Sequence, residues 1–539
     1  MKKLIESPFY QLAIFGLYVL MAVIAGWQVL TNLNGVIIGY DNDVYLYPWG
    51  NWWTLEALTN PSVNFWSTNF IFYPSEANLI FHSFSHLNTL VALALEPLFG
   101  PLGGHNISIW LNYPLIGFAM YHLARHLIKN EISAILAGIA FAFSSHAMYQ
   151  SAHANLLSIW CFPWAILFFM RAAEENKIRY ALIAALFVFL GAATSTLLLL
   201  IMVLIFLYLT IYFYFSSDWT FPSWKVLLVF LLGCAVATLL TQWPLIVDFV
   251  GNSNSSFIVN DDLPIIADML SPIIPHWYFW LWRGLYFGFV GIYLMLFAGR
   301  SGGKIRIWVI LLISTYLISV GPYPTIFGQQ LGVVFPWSFL FTPILRNPYR
   351  FNILMSLAVS LLIGYGWIGI LSQVKSETGR IVASILCPIL LFADYGGAQI
   401  PTTQLDVSPF FSEYLENVDD SVVLTSLPTS RQEDKYYMYL QSLHGHRITN
   451  GMIARPEQSA FDFINSNSVL MTRERPFGTQ APPPEDAWQS IQDLQDAGVG
   501  YVIFHKRFLT DEVEARWRAT IPFEPIYEDT YVFAYQFER

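Results

Sequence analysis

The stretch IRYALIAALFVFLGAATSTLLLLIMVLIFLYLTIYFYF, residues 178–215, decides the fold class. Its 38 residues are almost wholly apolar, about twice the ~20 needed to cross a ~30 Å hydrocarbon core as a helix. One helix of that length would overshoot the bilayer. The stretch is therefore expected to hold two spans, 179–194 and 196–215, with Gly191 and the Thr194-Ser195-Thr196 turn between them. Within lipid every backbone N–H and C=O needs a partner inside its own segment, which leaves helices as the spanning form.

Working outward, further blocks of similar length appear at 9–30, 105–128, 132–148, 156–172, 224–244, 285–299, 305–320, 350–371 and 380–397, giving eleven spans in all. Composition agrees. Only 12% of residues are charged and 55% are hydrophobic, whereas a soluble chain carries about 25% charge. The apolar run Phe9–Leu30 after Lys2 and Lys3 is too long for a signal peptide and reads as an uncleaved first span. Segments 84–99 and 334–345 look too short to span and suggest half-inserted or interfacial helices. Cys161, Cys234 and Cys387 all fall in apolar segments without metal-ligand spacing, as small buried hydrophobes do. The net charge of −10 argues against a nucleic-acid partner. No internal repeat suggests paired transporter halves.

Charge asymmetry orients the spans. With the N-terminus cytoplasmic, the cytoplasmic segments hold 13 basic residues, against Arg283, Arg346 and Arg350 on the opposite side before the tail. This places the first loop, 31–104, and everything after residue 398 outside the cell membrane. The tail changes character. Val422–Leu424, Tyr501–Phe504 and Tyr531–Phe537 read as strands and Ala487–Ala497 as an amphipathic helix. The expected architecture is an α-helical polytopic domain, 1–398, followed by an extracytoplasmic mixed α/β domain, 399–539.

From Thr31 to Ala124 there is no lysine or arginine, yet Asp41, Asp43, Glu56, Glu76 and Glu96 are present. Trp49, Trp52 and Trp53, after Pro48, have the spacing of a helix lying in the membrane interface. Carboxylates near a helix end are often just solvated caps. An Asp-x-Asp pair at the membrane surface, in a loop without cations, points instead to proton removal from a substrate hydroxyl or to a divalent cation, magnesium or manganese.

Several segments together resemble the GT-C superfamily of multispan glycosyltransferases, in particular a bacterial family related to the arabinosyl- and mannosyltransferase branches. They are Asp43 with Trp49 and Trp52-Trp53, Phe72-Tyr73-Pro74, His82-Ser83, Leu87-Asn88-Thr89-Leu90, Leu98-Phe99-Gly100-Pro101, Ala140–Ser144, His153–Leu157, Arg346–Phe351, and His444-Gly445, Asn450-Gly451 and Arg455 in the tail. The resemblance is densest over 39–172. It departs from the family pattern between Ser144 and His153, where Ala147 and Gln150 replace a basic residue and a histidine. It implies a polyprenyl-phosphate sugar donor and a lipid or glycan acceptor at the extracytoplasmic surface of the plasma membrane.

On that resemblance Asp43 is the first candidate for the base and Asp41 the second, with metal ligation the alternative for either. Arg346 and Arg350 are the candidates for the donor phosphate, on one face if the chain is helical there. Their alternative is anchorage of the span end at the interface. His153, Asn155, His82 and His146 are candidates for positioning substrate; a lone histidine is more often structural. In the tail His444, Arg447, Asn450 and Arg455 are weaker candidates for contact with the active face. Two other readings stand beside the enzyme: a transporter or flippase of lipid-linked glycans, and a non-catalytic envelope scaffold. Transport would favour ionisable residues inside the spans, but the acids here cluster in loops.

Overall fold

The computed structural model describes residues 7–251, 266–275, 285–336, 347–395, 399–475 and 479–537. The 178–215 stretch is two helices, Ile178–Thr194 and Thr196–Phe215. Between them Ser195 is extended, at φ −162° and ψ 137°, and its hydroxyl accepts a hydrogen bond from the Leu197 N–H. This cap satisfies one of the donors that a new helix start exposes.

Among the described residues, six helices are long and apolar enough to cross a membrane: Pro8–Ala25, Glu131–Ala152, Ala154–Glu175, Thr196–Phe215, Trp224–Asp248 and Pro348–Leu371. Ile178–Thr194 and Arg306–Ser319 are shorter apolar helices. Helix also occupies parts of the other expected spans, as Asn112–Ile128, Phe289–Met295 and Glu377–Asp394. The outward faces are apolar: Ile381, Ile385 and Ile389 are each more than half exposed on Glu377–Asp394. Water would not tolerate so broad an apolar surface, and lipid does. The chain is a membrane protein.

Two expected segment boundaries change. The first span ends at Ala25, and a separate short helix, Trp27–Thr31, follows Gly26. The expected half-inserted segment 84–99 instead runs on to Trp110 as helix His86–Trp110, sharply bent at Gly100, where φ is 78°. Pro97 and Pro101 flank the bend and remove backbone donors there. Residues 337–345 lie outside the described residues.

Close helix contact depends on glycine. A Cβ on Gly366 would meet the Leu294 backbone carbonyl, and one on Gly369 the Phe297 carbonyl. Small residues let helix backbones approach in this way. Gly366→Ala is expected to destabilise by about 1–3 kcal/mol, the usual cost of overpacking. Gly16→Ala, with open space around the new methyl, is expected to be near neutral. Thermal unfolding in detergent compares them; equal midpoints would refute the packing argument.

In the tail a five-stranded sheet forms in the order Tyr527–Glu528, Val532–Gln536, Val499–His505, Val423–Leu427, Arg447–Ile448. The last three strands are mutually parallel and the first two join antiparallel. Strands thus occupy all three expected segments, and Ala487–Asp496 is helical. The sheet does not close its core alone. Buried residues of 37–84 and of 410–537 form one hydrophobic cluster. The tryptophan helix, Leu46–Thr59, is therefore no interfacial helix: Trp49 and Trp53 are fully buried beneath the tail. The Trp49 indole donates to Gln441 Oε1 at 2.8 Å.

Candidate active site

Three local features deliver Asp43. Val36–Ile38 pairs antiparallel with Thr402–Gln404, so the start of the first loop is stitched to the start of the tail. Asn106 accepts from the Ile38 N–H and donates to the Leu33 and Val36 carbonyls, completing that short strand. Gly39, at φ 111°, lies where a Cβ would strike Ala152. Only glycine lets the chain pass flush there, and the 3-10 turn Asn42–Tyr45 then brings Asp43 to His153.

His153 Nε2–H donates to Asp43 Oδ2 at 2.9 Å. Asp43 Oδ1 is paired with the Lys435 ammonium. Burial alone would raise the Asp43 carboxyl, but the lysine and the imidazole outweigh it and hold the group well below the usual carboxylate range. The turn carrying His153 is fixed by a buried amide network. Asn88 donates to the Ala154 carbonyl at 2.9 Å and to Ser158 Oγ at 3.0 Å, and Asn112 donates to Asn88 Oδ1 at 3.0 Å. Asn155 Oδ1 accepts from the Tyr47 hydroxyl at 2.8 Å.

These groups line a cavity of about 410 Å³. Asp43, Tyr47, His153, Asn155 and Arg350 come from the membrane part, and Arg431, Gln432 and Lys435 from the tail. Arg350 lies in the 3-10 turn Pro348–Phe351 that opens helix Asn352–Leu371, with its Nε buried and unpartnered. Arg346 lies outside the described residues. Asn347, at φ −118° and ψ 89°, is not helical.

The remaining candidates separate. Asp41 is exposed and does not line the cavity. His82 lines a neighbouring cavity of about 350 Å³, its ring 4.9 Å from that of Trp49. Burial lowers its pKa to about 3, which keeps it neutral. His146 is buried, both ring nitrogens unpartnered, and lines neither of these two cavities. In the tail Arg455 reaches the second cavity, over the Phe81 ring. Asn450 is buried on Asp434 and the Ser426 carbonyl, while Arg447 stacks over Phe70. His444 rests against His446. Neither cavity includes these three. Among the described residues no set of three His, Cys, Asp or Glu converges to hold a metal ion; Asp43 and His153 pair with each other.

Sequence reading missed Lys435 and Arg431. They belong to Arg431-Gln432-Glu433-Asp434-Lys435, a pattern that ordinarily signals a solvated helix start. Here Glu433, Asp434 and Lys435 are all at most 4% exposed. Glu433 pairs with Arg475 and Asp434 with Arg473. Buried charges in such a run need partners or a ligand, and that requirement is the available signal.

A polytopic helical domain capped over a polar cavity by its loops and tail is the arrangement of solved multispan glycosyltransferases, a fold of the GT-C kind. The arabinofuranosyltransferase AftD from Mycobacteria matches 98% of this chain at 13% identity and a TM-score of 0.62; this chain spans 40% of that one. ArnT from Cupriavidus metallidurans, bound to undecaprenyl phosphate, matches over 98% of both chains at 11% identity and a TM-score of 0.55. The Archaeoglobus fulgidus oligosaccharyltransferase, tethered with an acceptor peptide, matches 98% of this chain and 74% of its own at 11% identity and a TM-score of 0.52. At such identities the likeness is one of fold. No family model and no curated protein matches the sequence.

Proposed function

We propose that this chain is a glycosyltransferase that moves a sugar from a polyprenyl-phosphate-linked donor to an acceptor hydroxyl on the extracytoplasmic face. The observation that carries this reading is a single cavity in which one carboxylate, Asp43, faces Arg350, Arg431 and Lys435. Transfer forms a bond from the acceptor oxygen to the anomeric carbon and breaks the bond from that carbon to the phosphate oxygen. The hydroxyl proton goes to Asp43, and the cations stabilise the departing phosphate. His153 orients Asp43, and Asn155 with Tyr47 lines the space beside it. We assign Asp43 as base; its alternative role, as a ligand to a divalent cation, would need further ligands beside Asp43 and His153.

The helix break at Ser195 supports the same reading. Ser195 and Leu197 line both cavities, which also share Arg350. The start of the 20-residue helix Thr196–Phe215 thus faces the cationic wall, where its dipole favours an anion. Below it, helices Ile178–Thr194 and Trp224–Gly251 flank an open apolar groove lined by Leu186, Phe189, Leu232, Val236 and Leu240. Higher residues of the same helices line the second cavity. A donor's isoprenoid chain fits that groove.

The test is to incubate the purified chain in nanodiscs with radiolabelled polyprenyl-phosphate pentoses and hexoses and an envelope glycan extract. Labelled glycoside and free polyprenyl phosphate are expected. Movement of label across vesicles with no new glycoside would replace transfer with transport. Arg350→Ala is expected to weaken lipid-phosphate binding by about tenfold or more, the scale of a lost charged hydrogen bond. Arg350→Lys should recover part of it, lacking only the forked geometry. Unchanged binding in Arg350→Ala would remove Arg350 from the site.

A further inference from the structure

Both oxygens of Asp43 are engaged, Oδ2 by His153 at 2.9 Å and Oδ1 by Lys435. A carboxylate so held is a poor proton acceptor, because accepting a proton means giving up an ion pair. Lys435 comes from the tail, its side chain buried, and it also donates to Gln432 Oε1 at 2.6 Å. The charged and titratable groups around Asp43 are His153 on the 152–154 turn, Arg350 at the start of Asn352–Leu371, Arg431 and Lys435 on the tail, and Tyr47 on the adjoining helix. Lys435 is the group that pairs with Oδ1. For the base to act, Lys435 has to leave it.

The neighbourhood supplies a destination. The same cavity wall holds Arg350, with its Nε buried and unpartnered, and Arg431. Lysine is a point charge on a flexible four-carbon stem, able to swing between two nearby anions. We propose that Lys435 is a positioning residue that exchanges partners: it holds Asp43 in the empty protein and moves to the donor's phosphate when the donor binds, releasing Oδ1 to take the acceptor's proton. This rests on the donor-site reading above and adds an order to it. Donor arrival uncovers the base, and without donor the base is withheld. A ligand shifts such an equilibrium only through its preference for one state, which here is the phosphate's contact with Lys435.

A double-mutant cycle on the full chain in nanodiscs tests the exchange, with farnesyl phosphate as probe and binding read by calorimetry. Lys435→Met is expected to weaken binding about tenfold, as loss of a charged contact does. Asp43→Asn is expected to tighten it about tenfold, because Lys435 no longer has to leave an anion. In the Lys435→Met background that gain should shrink below about twofold, since the two effects act through one group. Simple repulsion between Asp43 and phosphate predicts the opposite: a gain that persists or grows without Lys435. That result would overturn the exchange, as would wild-type affinity in Lys435→Met.

Lys435→Arg separates folding from exchange; it keeps the charge and is expected to bind the probe within about threefold of wild type. Inorganic phosphate should show the same pattern at weaker affinity. Coupling seen with farnesyl phosphate alone would place it at the lipid chain and refute the proposal. A wild-type chain that binds neither probe would overturn the donor-site reading itself, an outcome distinct from binding without coupling.

Discussion

Asp43→Asn is expected to lower sugar transfer by about 10²–10⁴-fold, the contribution of a positioned general base, while leaving the yield of folded protein unchanged. Asparagine keeps the shape and can still accept from His153 Nε2, so the 2.9 Å contact has a counterpart in the variant. What disappears is the negative charge that meets Lys435 and the capacity to take a proton. Asp41→Asn is the internal control. Asp41 is exposed and lies off the cavity, so its variant is expected to transfer within about twofold of wild type, as ordinary surface changes do. Wild-type rates in Asp43→Asn would sink the assignment, and equal losses in both variants would shift it to the Asp-x-Asp pair as a unit.

The same variant has a pH signature. The folded protein holds the Asp43 carboxyl below its ordinary value, so its contribution to stability is fully present above the unfolded value of about 3.9 and is lost as pH falls through the folded one. Wild type is therefore expected to outlast Asp43→Asn in thermal unfolding at pH 7, with the gap narrowing below about pH 4. A gap independent of pH would mean that the charge is not its source.

How much of this was legible in the sequence follows from the range of the interactions. The membrane class and the helix break at Ser195 are local, set by hydropathy over some twenty residues and by one capping hydroxyl, and both could be read directly. The meeting of Asp43 and His153 was only partly legible, because each stood in a segment resembling the same superfamily but 110 positions separate them. Lys435 was invisible for a physical reason. A charged pentapeptide looks the same whether water or buried partners neutralise it, and the partners Arg473 and Arg475 come from a different turn of the tail. The tryptophan helix misled for a related reason. Indole rings suit a membrane interface and a buried junction equally well, and only the tail's packing chooses between them.

That junction supports the largest expected effect on stability. Trp49 is fully buried, stacks parallel to Trp53 with ring centroids 5.9 Å apart, and donates its indole N–H to Gln441 on helix Glu433–His444. Trp49→Ala is expected to destabilise by about 3–5 kcal/mol, the range for removing a buried aromatic, part of it from leaving Gln441 Oε1 without its donor. Trp49→Phe should keep most of the packing and lose about 1 kcal/mol for the hydrogen bond. Because helix Glu433–His444 also carries Lys435, and Tyr436 packs edge-on against Tyr45 at 5.1 Å, loosening this contact reaches the site. Trp49→Ala is thus expected to expose the tail to limited proteolysis and to weaken lipid-phosphate binding together, whereas Gly366→Ala, buried among the membrane helices, should lower the unfolding midpoint and leave the tail protected. A Trp49→Ala tail as protease-resistant as wild type would show that the sheet of the tail stands without the first loop, and that the shared hydrophobic cluster is contact without dependence.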